Sequence, residues 1–279
     1  SPVIMVSALT QEGADITFRA LEAGAVDFIA KPDAAYVNIR DVARDLVAKV
    51  RAFGVRRTTK KTNVKSAETP QVKPPAQQRT ARAFKCVAIG TSTGGPVALS
   101  KILPALPVRF AAPLIIVQHM PLGFTRPLAD RLNATSSIEV LEAENGMVLT
   151  RGRALIAPAG KHLTLRSSAG SDDVEVVLIE DAAGATHVPS VDRTMASVGE
   201  VYGACSLGTI LTGMGQDGVA GLRVLKERGG YVIGQDEATC VVYGMPRAAA
   251  KAGLVDIVLP LDRIPSALCE LTNSSFARS

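Results

Sequence analysis

The chain has 279 residues, 47% of them hydrophobic and 20% charged, a balance that suits about two packed domains and argues against a disordered or fibrous chain. Its four cysteines, Cys86, Cys205, Cys240 and Cys269, lie far apart with no CxxC pair, which argues against a disulfide framework or a metal site and for a reducing, cytoplasmic setting. The net charge of +5 is local: residues 56–85 hold nine basic residues and one acid, so the remainder is acidic, and with no tryptophan and 4% aromatics no nucleic-acid partner is expected.

The opening stretch, Ser1 to Val6, has no basic n-region or cleavage site, so it is not a signal peptide and reads as the middle of a longer element. No apolar run reaches 18 residues, so no membrane insertion is expected. Val3 to Ser7 reads as a buried strand and Glu12 to Ala23 as a helix, with Ile16, Phe18 and Leu21 near helical spacing. The stretch VDFIAKP is a second strand closed by Pro32. Asn38 is positioned to cap a second helix carrying Ile39, Val42, Leu46, Val50 and Phe53 as its apolar stripe. Two βα units are too small for an independent core, so residues 1–55 are expected to be half of a domain, poorly stable alone. Residues 56–84 have no hydrophobic period and read as a basic, disordered linker.

Residues 85–272 return to alternation. Apolar, β-rich runs at about 86–90, 114–118, 153–157, 206–212, 231–234 and 254–259 are expected as parallel strands covered on both faces. Helices follow Gly94, Thr125, Ser190, Asp217 and Pro246. Residues 173–180 alternate and suit an antiparallel edge strand, and 273–279 form a tail. The fold class is therefore α/β: a doubly wound, mostly parallel sheet preceded by a partial βα domain.

The stretch AIGTSTGGP, residues 88–96, runs from a strand into a glycine-rich turn. A phosphate-binding βα turn is one reading, because amides at a helix start attract anions, but neither GxGxxG nor GxxxxGK[ST] is present. Gly90-Thr91-Ser92-Thr93-Gly94 also fits G-x-S-x-G, a turn that presents a serine nucleophile. A purely structural glycine turn stands close behind these two. A serine nucleophile needs a base. His119 ends the run PLIIVQH, where open α/β sheets place functional residues, His162 lies at a turn, and His187 lies in the loop GATHVPS. The base needs a carboxylate to orient it. Asp217, in TGMGQDG, is the first candidate, although an aspartate there is more often a helix N-cap. Asp192 is the rival, in the first turn of a helix. Ser92, His119 and Asp217 all fall at the C-terminal ends of expected parallel strands, in an order foreign to the α/β-hydrolases.

Six ordered stretches, IGTSTGGP, VQHMP, IAPAGKHL, PSVDRTM, TGMGQDG and YGMPRAA, resemble the chemotaxis response-regulator protein-glutamate methylesterase/glutaminase family, the CheB family, over about residues 85–272. The resemblance implies a methylesterase domain without cofactor, in which Ser92 is the nucleophile, His119 the base and Asp217 its orienter. It implies an oxyanion site at the Thr93 and Met214 amides and a glutamyl-serine intermediate. The substrates it implies are glutamate methyl esters and glutamines on methyl-accepting chemotaxis receptors, modified during sensory adaptation. His187 and Asp192 are expected to touch substrate, although Val188 stands where an arginine is common in the family and Gln216 where an asparagine is usual. The N-terminal piece resembles the second half of a receiver domain, with Ser7 as the switch hydroxyl and Lys31 as the phosphoryl-pairing lysine. No phosphoacceptor is present in this chain, so contact with the chemotaxis histidine kinase would need a complete receiver. In the family the receiver covers the esterase cleft.

Overall fold

The computed structural model describes residues 2–8, 11–31, 39–54, 83–168, 170–181 and 185–273. The expected linker lies outside them except for residues 83 and 84, and so do Pro32, Asn38 and residues 274–279.

The N-terminal unit runs β1 (Ile4–Ser7), α1 (Gln11–Glu22), β2 (Asp27–Ala30) and α2 (Ile39–Gly54). Its two strands pair in parallel, Ser7 opposite Ala30, so Ser7 and Lys31 lie at one edge. The Ser7 hydroxyl donates to the Gly13 carbonyl at 2.9 Å.

The second unit runs β3 (Cys86–Thr91), α3 (Gly95–Ile102), β4 (Leu114–Gln118), α4 (Thr125–Thr135), β5 (Glu139–Glu142), β6 (Arg153–Ile156), β7 (Lys161–Ser167), β8 (Val174–Glu180), α5 (Val191–Tyr202), β9 (Ser206–Ile210), α6 (Val219–Glu227), β10 (Tyr231–Gln235), α7 (Met245–Lys251), β11 (Ile257–Leu259) and α8 (Ile264–Thr272). Seven strands form one parallel sheet in the order β11-β10-β9-β3-β4-β6-β5. The central strands β3, β4 and β9 are buried along their whole length, as the unbroken apolar runs require. From β3 the chain winds first to one side, through β4, and later returns to the other through β9. This places the topological switch, the usual binding crevice of such sheets, at the C-terminal end of β3.

Two expectations need correction. Residues 174–180 do pair antiparallel, but with β7 in a separate two-stranded sheet rather than at the edge of the main one. α4 begins at Thr125, yet the threonine hydroxyl is no cap: it donates to Glu142 Oε1 at 2.6 Å and accepts from the Ala159 amide.

One apolar cluster joins the two units. Phe18, Leu21 and Phe28 of the N-terminal unit share it with Phe124, Leu128 and Leu132. The Phe28 and Phe124 rings lie 4.7 Å apart, a geometry worth about 0.5–1.5 kcal/mol beyond the area buried. At the rim Arg131 reaches from α4 to both carboxylate oxygens of Glu22 and to Asp15 on α1. On the far side Val3, Val6, Ile16, Leu46, Val47 and Val50 are exposed. Among the described residues no helix is long and apolar enough to cross a membrane.

Because the second unit completes the core of the first, an isolated 1–54 peptide is expected to show no cooperative thermal transition by circular dichroism, whereas the intact chain melts cooperatively. A sharp transition in the peptide would mean that its own contacts suffice.

Candidate active site

β3 ends at Thr91, so Ser92 is the first residue beyond it, and His119 is the first beyond β4. The two strands pair with Thr91 opposite Gln118, which puts Ser92 and His119 side by side. Backbone bonds lock the turn: the Ser92 amide donates to the Thr212 carbonyl at 3.1 Å, the His119 amide to Thr91 at 3.1 Å, and the Gly95 amide to Ser92 at 2.8 Å. With the Ser92 and Gly95 amides turned inward, the loop is a poor phosphate cradle. Nor is it the strained elbow of the α/β-hydrolases. No non-glycine residue among those described has a positive φ, and Gly94, at φ 80°, takes the left-handed position.

Gln118, buried at the end of an otherwise aliphatic strand, joins the two neighbours. Its Nε2 donates to the Ser92 carbonyl at 2.9 Å and to the His119 carbonyl at 2.8 Å. Sequence reasoning gave it no role; the signal was a lone amide closing a run of five fully buried positions. From the other side Gly213 presses on the serine. A Cβ on Gly213 would lie 2.9 Å from Ser92 Cβ and 2.3 Å from Met245 Sδ, so only glycine fits.

His119 Nε2 meets Asp217 Oδ2 at 2.7 Å, and its Nδ1 is buried without a protein partner. The carboxylate is therefore the hydrogen-bond acceptor for Nε2, and Nδ1 is the ring nitrogen without a protein partner. Ser92 makes no side-chain hydrogen bond to His119 in this conformation; such bonds are often formed only once substrate is bound.

Asp217 lies just before α6, whose N-cap is Gly218, so it does not cap its own helix. It caps α5 instead. Oδ2 accepts from the Val191 amide at 2.8 Å, and Oδ1 accepts from the Asp192 amide at 3.0 Å and from Ser190 Oγ at 3.1 Å. Burial alone would raise its pKa, but the hydrogen bond and charge of His119 and the two amides outweigh that and hold it well below the usual carboxylate range.

His187 stacks on His119, ring centroids 4.3 Å apart. Partial burial, and next the neighbouring His119, push its pKa down. The N-terminal unit faces this pair: Ile29, Ala30, Val42 and Asp45 share a cleft of about 340 Å³ with His119 and His187. Asp192 Oδ1 accepts from the Gly218 and Gly221 amides. His162, expected at a turn, is inside β7 with no exposure, its Nδ1 accepting from the Ser190 amide at 3.2 Å. No acceptor engages the Thr93 or Met214 amide among the described residues.

A family model described as CheB methylesterase matches residues 87–268. The protein-glutamate methylesterase/protein-glutamine glutaminase of Lawsonia intracellularis is 44% identical over 276 residues, 94% of this chain and 76% of that protein. The protein of the same description from Archaeoglobus fulgidus is 44% identical over 266 residues, 95% of this chain and 75% of its own length. These shares are too large to leave out the N-terminal unit. Among solved structures, the CheB methylesterase catalytic domain of Thermotoga maritima superposes with a TM-score of 0.65 at 44% identity, over 68% of this chain and all of that one.

Two outcomes are expected. Gln118→Leu strips the donor from two carbonyls and should lower unfolding stability by about 1–3 kcal/mol in urea titration. Because the folded pKa of Asp217 is depressed, its charge adds stability that is fully present above the unfolded carboxylate pKa of about 3.9 and is lost as pH falls through the folded value. The stability gap between wild type and Asp217→Asn should therefore be flat from neutral pH to about pH 5 and shrink below about pH 4, read from denaturant midpoints across pH.

Proposed function

The chain belongs to the CheB methylesterase family, and on that premise we propose how it works as a protein-glutamate methylesterase and protein-glutamine glutaminase: Ser92 is the nucleophile, His119 the general base and Asp217 the group that orients the base. The observation that carries this reading is the 2.7 Å bond from His119 Nε2 to a buried carboxylate, which leaves Nδ1 without a protein partner on the residue next to Ser92 across the β3–β4 pair.

Ser92 Oγ attacks the γ-carbonyl carbon of a methylated glutamate, and its proton passes to His119 Nδ1. The tetrahedral oxyanion meets the Thr93 and Met214 amides; losing one such donor typically costs about 10²–10³ in rate. As the C–O bond to the methoxy group breaks, Nδ1 returns the proton and methanol leaves. Water then gives a proton to Nδ1 and attacks the glutamyl-serine ester, and Ser92 departs with that proton, leaving a free glutamate. On a glutamine side chain the first leaving group is ammonia. Asp217 stays ionised throughout and stabilises the imidazolium.

The substrates are glutamate and glutamine side chains on the cytoplasmic helices of methyl-accepting chemotaxis receptors, and the enzyme acts in the cytoplasm. Residues 1–55 are a receiver half that screens the site, residues 56–84 a linker, and residues 85–272 the catalytic unit. The cleft shared by Val42, Asp45 and His119 supports the screening role, since α2 lies at its edge. A complete receiver, with Ser7 and Lys31 at its phosphoryl edge, would bring the histidine kinase into play. His187, stacked over His119, is the residue placed to touch substrate on entry.

Methanol release from methylated receptor fragments tests the reading. Ser92→Ala should abolish release while circular dichroism stays unchanged, and Asp217→Asn should lower kcat by on the order of 10³–10⁴. Residues 83–279 alone should turn over faster than the intact chain, and Arg131→Ala in the intact chain should raise release in the same direction by less, as one partly exposed ion-pair cluster warrants. Release that survives Ser92→Ala would refute the nucleophile assignment.

A further inference from the structure

The N-termini of α5 and α6 cap each other. The Asp217 carboxylate, one residue before the N-cap of α6, accepts from the amides of Val191 and Asp192 in the first turn of α5. Asp192, in that first turn, accepts at Oδ1 from the amides of Gly218 at 2.9 Å and Gly221 at 2.8 Å, at the start of α6. Early helix amides have no partner within their own helix, so each helix depends on the other for the groups that satisfy its end. The exchange needs close approach. A Cβ on Gly221 would lie 2.2 Å from the Asp192 carbonyl oxygen, so the two backbones meet with no side chain between them. α6 has no side-chain cap of its own, Gly218 having none to offer.

We propose that Asp192 is a positioning residue of the active site: by holding the first turn of α6 against the first turn of α5, it sets the distance at which the Asp217 carboxylate meets His119 Nε2. This rests on Asp217 being the orienter of His119. Asp217 sits in the segment between the end of β9 and α6, which is rich in glycine, with Gly213, Gly215 and Gly218, and it is joined through Gly218 to the first turn of α6. The three bonds that hold its carboxylate besides that of His119 all come from residues 190, 191 and 192, at the start of the helix Asp192 belongs to. Release of Asp192 frees the start of α6 and lets the carboxylate swing off the imidazole, and a displacement of about 1 Å at such a distance can cost on the order of 10² in rate. A direct substrate contact is the competing role, because Asp192 also borders a cleft of about 550 Å³ with Gln216 and Arg223. The two roles differ in what they change: positioning acts on kcat, and direct binding acts on KM.

The test uses the intact chain with Asp192→Ala, Asp192→Asn and Asp192→Glu. Four quantities are read: the melting temperature, kcat and KM for methanol release, the rate at which a fluorophosphonate labels Ser92, and the far-downfield NMR proton of the His119–Asp217 hydrogen bond. Asp192→Ala should lower kcat at least about tenfold with KM within about twofold, and should broaden or abolish the downfield proton. Asp192→Asn, whose amide oxygen accepts the same two bonds, should restore most of both. Asp192→Glu keeps the charge but lengthens the side chain by one methylene, so it should behave like the alanine variant, and it decides the matter if alanine does not fold. Raised KM with kcat retained would overturn the proposal in favour of substrate contact. Equal impairment of Asn and Ala would overturn it in favour of charge, and wild-type kcat and proton signal in Asp192→Glu would overturn it outright. The downfield proton needs no turnover, so absence of Ser92 labelling in the wild-type chain would fail the nucleophile assignment while the positioning claim is still read.

Discussion

The Asp217 carboxylate seated on the N-terminus of α5 is the interaction on which the rest of the site depends. Four donors converge on its two oxygens: two backbone amides, the Ser190 hydroxyl and the His119 ring. An anion at a helix start is favourable because unpartnered amides and the helix dipole both point at it. Here that ordinary preference is met by a residue from the loop before α6, so a local cap becomes a long-range tie. The carboxylate cannot shift without exposing the first turn of α5, and that same rigidity keeps the imidazole aimed. Gln118 does for the backbones of Ser92 and His119 what α5 does for Asp217. The geometry of the crevice thus comes from buried polar groups tied to one another and to the backbone, set in an aliphatic sheet.

The N-terminal unit extends this logic to access. With two strands it has no closed core, and it borrows one from α4 through Phe124, Leu128 and Leu132. The packing that stabilises it also carries Val42 and Asp45 to the mouth above His119. The contacts that hold this unit on α4 are thus also the ones that set Val42 and Asp45 beside His119. The proposed screening would therefore need no separate latch, because it would rest on the same interface that stabilises the unit.

Much of this was readable before any coordinates. The buried strands β3, β4 and β9 announce themselves as unbroken apolar runs, and the structure has Ser92 and His119 directly at the ends of β3 and β4, with Asp217 farther on, beside the start of α6. Ser190 was readable as a helix cap, and its hydroxyl does accept from the Arg193 amide. β5 was missed because an edge strand reading Glu-Val-Leu-Glu buries only Val140 fully and lacks an apolar run. α8 was missed although Pro260 closes the strand before it and Pro265 stands in its first turn. The true target of Asp217 was hidden for a different reason. A side-chain pattern says that an aspartate near a helix start is a cap, but not which helix it caps. Gln118 was passed over because its value lies in carbonyls 26 residues and one residue away, which no local period reveals. His162 was placed at a turn because the Gly160 turn precedes it directly, whereas its burial is decided by α5 packing over β7.

The ring of His119 is turned the opposite way from the chymotrypsin-like arrangement, in which Nε2 faces the serine and Nδ1 the carboxylate. Here Nε2 holds the carboxylate and Nδ1 is without a protein partner. Nδ1 is the nitrogen nearer the main chain, so under the proposed roles Ser92 would meet the base from the backbone side while the carboxylate holds the ring's outer edge. Two sites with the proposed chemistry could therefore perform the same proton transfer and still fail to superpose atom by atom. What they share is the path of the proton; which ring nitrogen carries it is set by the sheet on which the histidine stands.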